Sequence, residues 1–303
     1  MFSVQVTLLL TIALGYAVTK CGMISTNTRS ELTNLTVNII LPCNIFAAFL
    51  GDITPSMLAQ SGVILLCAAG LQLLSLILNR FIYAWIPEKK SLVLKYTTIT
   101  NNAAFMGLPV LGAVFGDIGV LYGSIFLIPM RIMMWTAGLS LFTRMDGKKK
   151  LINLITHPCM IAVFAGFIYV FLPLTLPEFL DNTVRWVGEV TRVMPMIIVG
   201  SILSEVKFKE VLDRHCFYFS FFRLLIMPAI MFVILWLLEL DPVVIGVTVL
   251  MAAMPSALVT AILSEKYGQD SAFASKTVFV STILSMITLP LIAMVLSRIV
   301  PVA

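Results

Sequence analysis

Two adjacent asparagines, Asn101 and Asn102, stand in the middle of Thr97–Gly116, TTITNNAAFMGLPVLGAVFG, a largely apolar stretch long enough to cross a bilayer. Gly107 and Pro109 follow closely. An unpaired amide in hydrocarbon costs several kcal/mol, so amides at this depth need partners, and a ligand is one candidate. A second apolar stretch, Leu250–Gly268, LMAAMPSALVTAILSEKYG, is broken at Pro255–Ser256. Pro255 has no amide hydrogen and its ring obstructs the preceding turn, so a helix kinks or unwinds there. Beyond each break a new half-helix begins, near Ala103 and near Ala257. Its first N–H groups have no partner inside the helix and carry partial positive charge. Two such starts meeting without an Asp or Glu favour an anion. Asn101 and Asn102 add amide donors, and Thr98, Thr100, Ser256 and Thr260 add hydroxyls. The chemistry is recognition. The plainer alternative is a pair of kinks stabilised by neighbouring helices.

A bundle must hold these breaks, and composition says it is a membrane bundle. The 303 residues are 60% hydrophobic and 12% charged, about half the charge fraction of a soluble domain, with mean hydropathy +1.04. About twenty apolar residues cross a bilayer. On that measure ten spans run over 2–20, 31–50, 57–80, 92–115, 119–143, 157–175, 183–203, 215–238, 242–265 and 272–298. Phe2–Val18 reads as a retained first span, because no basic n-region precedes it and no cleavage site follows.

The net charge of +5 is a topology signal, and nucleic acid is not an expected partner. Alternate connections carry Lys20 and Arg29; Arg80, Lys89, Lys90 and Lys95; Arg144 and Lys148–Lys150; Lys207, Lys209 and Arg214; then Lys266 and Lys276. The connections between them hold acids: Asp52, Asp117, Glu178, Asp181, Glu239 and Asp241. Basic loops stay in the cytoplasm, so both termini lie outside a cytoplasmic (inner) membrane. Five spans on each side of Lys148–Lys150 make an odd-numbered unit, so a duplicated second half enters upside down. Residues 1–150 and 151–303 are then two inverted repeats, with Pro42 answering Pro195 and broken span four answering broken span nine. The fold class is an all-α membrane protein.

TNNAAFMGLPVLGAVFG and MPSALVTAILSEKYGQD, with TLPLI at Thr288–Ile292, resemble the auxin efflux carrier family. That family includes the plant PIN-formed carriers and short bacterial members, some described as carriers of malonate or similar acids. The resemblance implies a five-plus-five inverted repeat with crossed broken helices four and nine, like the NhaA antiporter and the bile-acid transporters. It implies a scaffold of spans 1, 2, 6 and 7 and a mobile transport domain of spans 3–5 and 8–10. Further implications are an anion at the crossing, elevator-type movement and a homodimer through the scaffold. By position, Asn102 matches the family's crossover asparagine and Pro255 its crossover proline. Two departures stand out. Asn101 replaces a proline of the plant carriers, so the first crossing should bend less sharply. Only Arg144–Thr156 occupies the place of their long hydrophilic loop, which weighs against an indole-acid substrate.

Other residues have two readings each. Arg131, in span five, either draws substrate into the cavity or bonds to backbone carbonyls. Arg185, Glu189 and Arg192 share a face of span seven, as an ion-pair row or with Glu189 as a proton carrier. Arg223 should snorkel towards the cytoplasm. Asn38 and Asn44 either line the cavity or join helices. Gly112-x-x-x-Gly116 and Gly119-x-x-x-Gly123 permit close packing. Trp85, Trp186 and Trp236 sit near span ends as interfacial anchors. Cys21, Cys43, Cys67, Cys159 and Cys216 fit neither a disulfide framework nor a metal site and read as small apolar side chains. His157 and His215 stand alone, and no HExxH, GxSxG or phosphate-binding Lys loop is present, so neither an enzyme nor a cofactor is expected.

The leading function is a secondary carrier that moves a small organic carboxylate outward. An inside-negative potential expels each negative charge with about 2.3 kcal/mol per 100 mV, and a site without its own acid suits a uniporter. The alternatives are a proton- or sodium-coupled symporter of a malonate-like dicarboxylate, and a ligand-sensing receptor on a transporter fold.

Overall fold

A computed structural model describes residues 2–51, 54–142, 152, 155–172, 176–205, 213–257, 259–296 and 298. The helices are α1 Phe2–Lys20, α2 Thr26–Leu35, α3 Leu41–Ala47, α4 Pro55–Ile82, α5 Glu88–Ile99, α6 Leu108–Met133 and α7 Pro158–Phe171. They continue as α8 Glu178–Glu189, α9 Met194–Glu205, α10 Arg214–Phe221, α11 Met227–Leu237, α12 Pro242–Ala252, α13 Val259–Lys266 and α14 Ser271–Leu296. No strand forms among the described residues. The basic cluster Lys148–Lys150, with Arg144, Lys207, Lys209 and Asp52, lies outside them.

Pro55–Ile82, Ala103–Gly138, Arg214–Leu237 and Ser271–Leu296 are long and apolar enough to cross a membrane. The Ala103–Gly138 run is not one rod. Gly116 has φ +64° and ψ −149°, a conformation that L side chains rarely adopt. A Cβ on Gly119 would lie 2.5 Å from the Leu111 carbonyl oxygen, and one on Gly123 would lie 2.8 Å from the Leu108 side chain. A straight helix holds residues eight apart about 12 Å from each other. The chain therefore folds back at Gly116, and the glycine spacing serves that tight reversal.

Prolines explain a second local feature. Pro42, Pro109 and Pro228 each follow a π turn, at Thr36–Ile40, Ala103–Gly107 and Phe222–Ile226. A proline ring collides with the carbonyl one turn back. The extra residue of a π turn moves that carbonyl aside, and the residue before each proline bonds five positions back instead: Leu41 to Thr36, Leu108 to Ala103, Met227 to Phe222.

Packing sorts the helices into two groups. In the first, α1 lies against α9, and α3 lies against α7 and α8. Gly15 and Gly200 let the α1 and α9 backbones touch, since a Cβ on either would collide with the other's main chain. In the second group, α4, α6 and α12 pack together, α11 covers α12, and α10 and α13 lie on α14. Polar ties also sort the helix ends. Lys90 bonds to Asp213, and Gln269 to the Phe142 carbonyl, among the basic connections. Arg185 approaches Asp117 among the acidic ones. Trp85, Trp186 and Trp236 are exposed near helix ends, as interfacial anchors are. Cys159 and Cys216 are buried, whereas Cys21 is exposed just beyond α1.

Candidate functional site

Helix α5 ends at Ile99 and helical structure resumes at Ala103, while α12 ends at Ala252 and α13 begins at Val259. The two unwound segments meet in an antiparallel bridge between Asn101 and Ser256. The Asn102 N–H donates to the Pro255 carbonyl at 2.7 Å, and Asn101 Nδ2 donates to the Met251 carbonyl at 2.6 Å. Each break thus supplies partners for backbone groups freed by the other. The Asn102 carbonyl accepts from the Met106 and Gly107 amides, which fixes the first turn of the new helix. Hydroxyls close the other side. Ser256 Oγ contacts Thr97 Oγ1, Thr260 Oγ1 donates to Thr97 Oγ1 at 3.2 Å, and the Ser256 N–H donates to Ser281 Oγ at 3.1 Å. Thr100 Oγ1 donates to the Tyr96 carbonyl. Gly107 permits close approach here, because a Cβ would fall 2.7 Å from Met251 sulfur.

Arg223 departs from expectation. Its side chain does not snorkel: it is 1% exposed and reaches the crossing. NH1 donates to the Thr98 carbonyl at 3.0 Å and Nε to the Met254 carbonyl at 3.3 Å. One guanidinium therefore braces the C-terminal ends of both interrupted helices, where the backbone dipoles leave partial negative charge. Proximity to a span end suggested snorkelling, but Arg223 lies in the π turn before Pro228, and helix rotation there sends it inward.

A cavity of about 250 Å³ opens beside the crossing. Asn101, Asn102, Ala257, Arg131 and His157 line it, with Thr33 and apolar side chains such as Phe105, Met130 and Ile198. No Asp or Glu is among these residues. Asn101 is 4% exposed and its Oδ1 has no hydrogen-bond partner among the described residues. Arg131 is 6% exposed, and NH1 lies 2.7 Å from His157 Nε2, while its buried Nε has no partner among the described residues. Thr33, Ile202 and Ile262 also border a larger cavity of about 460 Å³, which runs past Asn34 to Thr26, Arg29 and Ser275, on the side of the basic connections.

The crossing thus gathers Thr100, Asn101, Asn102, Pro255 and Ser256, with Arg131 at the same cavity. Asn44, Glu189 and Arg192 lie elsewhere. Asn44 packs its backbone under Gly188 on α8, where a Cβ would meet it at 2.9 Å. Glu189 and Arg192 are exposed and 3.9 Å apart. Arg185 turns to Asp181 at 3.0 Å and Asp117 at 3.8 Å, so the row splits into two pairs. Two partners were illegible in sequence, His157 on Arg131 and Ser281 under Ser256. Both come from distant segments with no motif to mark them.

Outside the spans, Lys90 Nζ lies 2.5 Å from Asp213 Oδ2, and His215 Nδ1 lies 2.8 Å from Oδ1. Burial raises the Asp213 pKa, but the Lys90 bond and the His215 N–H groups outweigh it and hold the carboxyl at about 2.

The membrane transport protein family matches this chain over residues 2–153 and 144–293. Two archaeal proteins are similar over nearly their whole length. One is named an uncharacterized transporter of Methanothermobacter thermautotrophicus, 26% identical over 95% of this chain and 96% of its own. The other is an uncharacterized transporter of Methanocaldococcus jannaschii, 24% identical over 93% of this chain and 94% of its own. The chain belongs to the membrane transport protein family, the family to which its resemblance to auxin efflux carriers points.

Proposed function

From that membership, we propose that the protein is a secondary carrier of a small organic carboxylate, bound where the two broken helices cross. The observation that carries this reading is the charge balance at the crossing. Each helix start bears about +0.5 of an elementary charge and each end about −0.5. Arg223, bonded to Thr98 and Met254, matches the two ends. The two starts have no acid beside them, and Arg131 adds a further positive charge at the same cavity. An anion completes that balance. The volume of about 250 Å³ sits below the range of drug-sized pockets, which suits a short acid.

The packing groups support a reading of the transport cycle. In this reading ten spans form two inverted repeats, 1–150 and 151–303. The group with α1, α3, α7, α8 and α9 is the scaffold, and the group with α4–α6 and α10–α14 is the moving domain of an elevator. Both termini lie outside the inner membrane, and the scaffold forms a homodimer. Voltage-driven outward movement of the anion fits this cavity, whose described lining residues include no Asp or Glu, with Glu189 lying away from it.

Exchange by protein in liposomes tests this. Labelled acetate, lactate, succinate, glutarate and benzoate are offered under imposed potentials. At least one should exchange, and Asn102→Ala should cut that exchange tenfold or more with unchanged elution on size exclusion. Unaltered exchange by that variant removes the crossing as the site. Ligand binding without any flux would favour the receptor reading.

A further inference from the structure

Among the described residues, Arg131 is a cation without a counter-ion. It is 94% removed from solvent, and its one bonded partner among the described residues is an imidazole. A guanidinium only donates, so His157 Nε2 accepts and the ring carries no charge to oppose it. Isolated charges inside membranes are costly and are retained where they meet a partner or a pathway. The side chain lines the same cavity as Asn102 and Ala257, and its Nε has no partner among the described residues. A second fact concerns what the His157 bond joins. Arg131 belongs to α6, which packs with α4 and α12; His157 stands at the N-terminus of α7, which packs on α3. The bond therefore crosses between the two packing groups, close to the cavity.

We propose that Arg131 pairs with the carboxylate of the transported anion and gives up His157 to do so. This rests on the carrier reading above and assigns its anion-selecting residue. A carboxylate presents two oxygens that match the guanidinium fork, which one imidazole nitrogen cannot do. Filling the cavity turns Arg131 from His157 to the ligand and unties the two groups at that point. An empty cavity leaves the tie in place. The loaded protein then moves readily and the empty one reluctantly, so exchange of anion for anion outpaces net flux.

The experiment compares exchange and net efflux in liposomes, using whichever of the five acids the wild type exchanges fastest. Arg131→Gln should raise the half-saturating concentration tenfold or more, and Arg131→Lys should recover part of it. His157→Ala should raise the ratio of net efflux to exchange by about threefold or more. An unchanged half-saturating concentration in Arg131→Gln overturns the pairing, and an unchanged ratio in His157→Ala overturns the tie. If Arg131→Gln aggregates, Arg131→Lys carries the first arm: wild-type half-saturation there overturns the pairing. A wild type that moves none of the acids defeats the carrier reading itself, whatever the variants do.

Discussion

The two breaks at the crossing reach the same end by different means. The first has no proline, and its gap is short, from Ile99 to Ala103. The second holds Pro255 and runs from Ala252 to Val259. Asn101 and Asn102 open the first helix by offering the chain better partners elsewhere: the Met251 carbonyl for a side chain, the Pro255 carbonyl for an amide. Pro255 opens the second by removing a donor. The lesson is that the interruption belongs to the pair. Each segment stays unwound because the other, and Arg223, satisfies it.

The largest test removes the shared brace. Arg223→Leu takes away charged bonds to both arms, worth about 1.5–3 kcal/mol each, so the detergent-purified protein should lose roughly 3 kcal/mol or more in thermal unfolding. A variant that melts like the wild type would mean that the arms hold each other unaided. A smaller effect separates the two devices. Asn101→Ala should cost about 1 kcal/mol by removing the closest donor to the Met251 carbonyl, which keeps the Met254 N–H. Pro255→Ala should cost less, because its carbonyl still accepts from Asn102. The reverse order would make the proline the cause of the opening.

The smallest effect concerns a tie made by the first arm. Lys90 on α5 holds Asp213, which precedes α10, the helix leading to Arg223. With its carboxyl held at about 2, below the usual value near 3.9, ionised Asp213 stabilises the fold fully above pH ~4. That contribution fades as pH falls towards 2. Hydrogen exchange in α5 should therefore quicken in acid before exchange in α12, and Asp213→Asn should abolish the difference. Equal quickening of both arms would show that the tie serves the whole bundle.

Much of this was legible in the residues. Apolar length located several helices close to their observed limits, as with 57–80 against Pro55–Ile82. The breaks announced themselves because amides and a proline are expensive in hydrocarbon. Destinations of long side chains were not legible. Arg223 and Arg131 both read as isolated charges, and their partners depend on helix rotation. The π turn at Phe222–Ile226 sets that rotation for Arg223, and the apolar periodicity is too uniform to reveal it. Asn44 kept two readings because the pattern of an amide in a span is the same whether it faces a cavity or a neighbouring backbone.

The shared guanidinium has one more consequence. Two strands of chain pinned to a single side chain, and to each other through Asn102 and Pro255, cannot drift apart or slide separately. Whatever displacement the bundle undergoes must carry both together, as a clasp carries the two ends of a ribbon. A guest held there would keep the same neighbours on that side throughout the journey, and only the wall opposite would change.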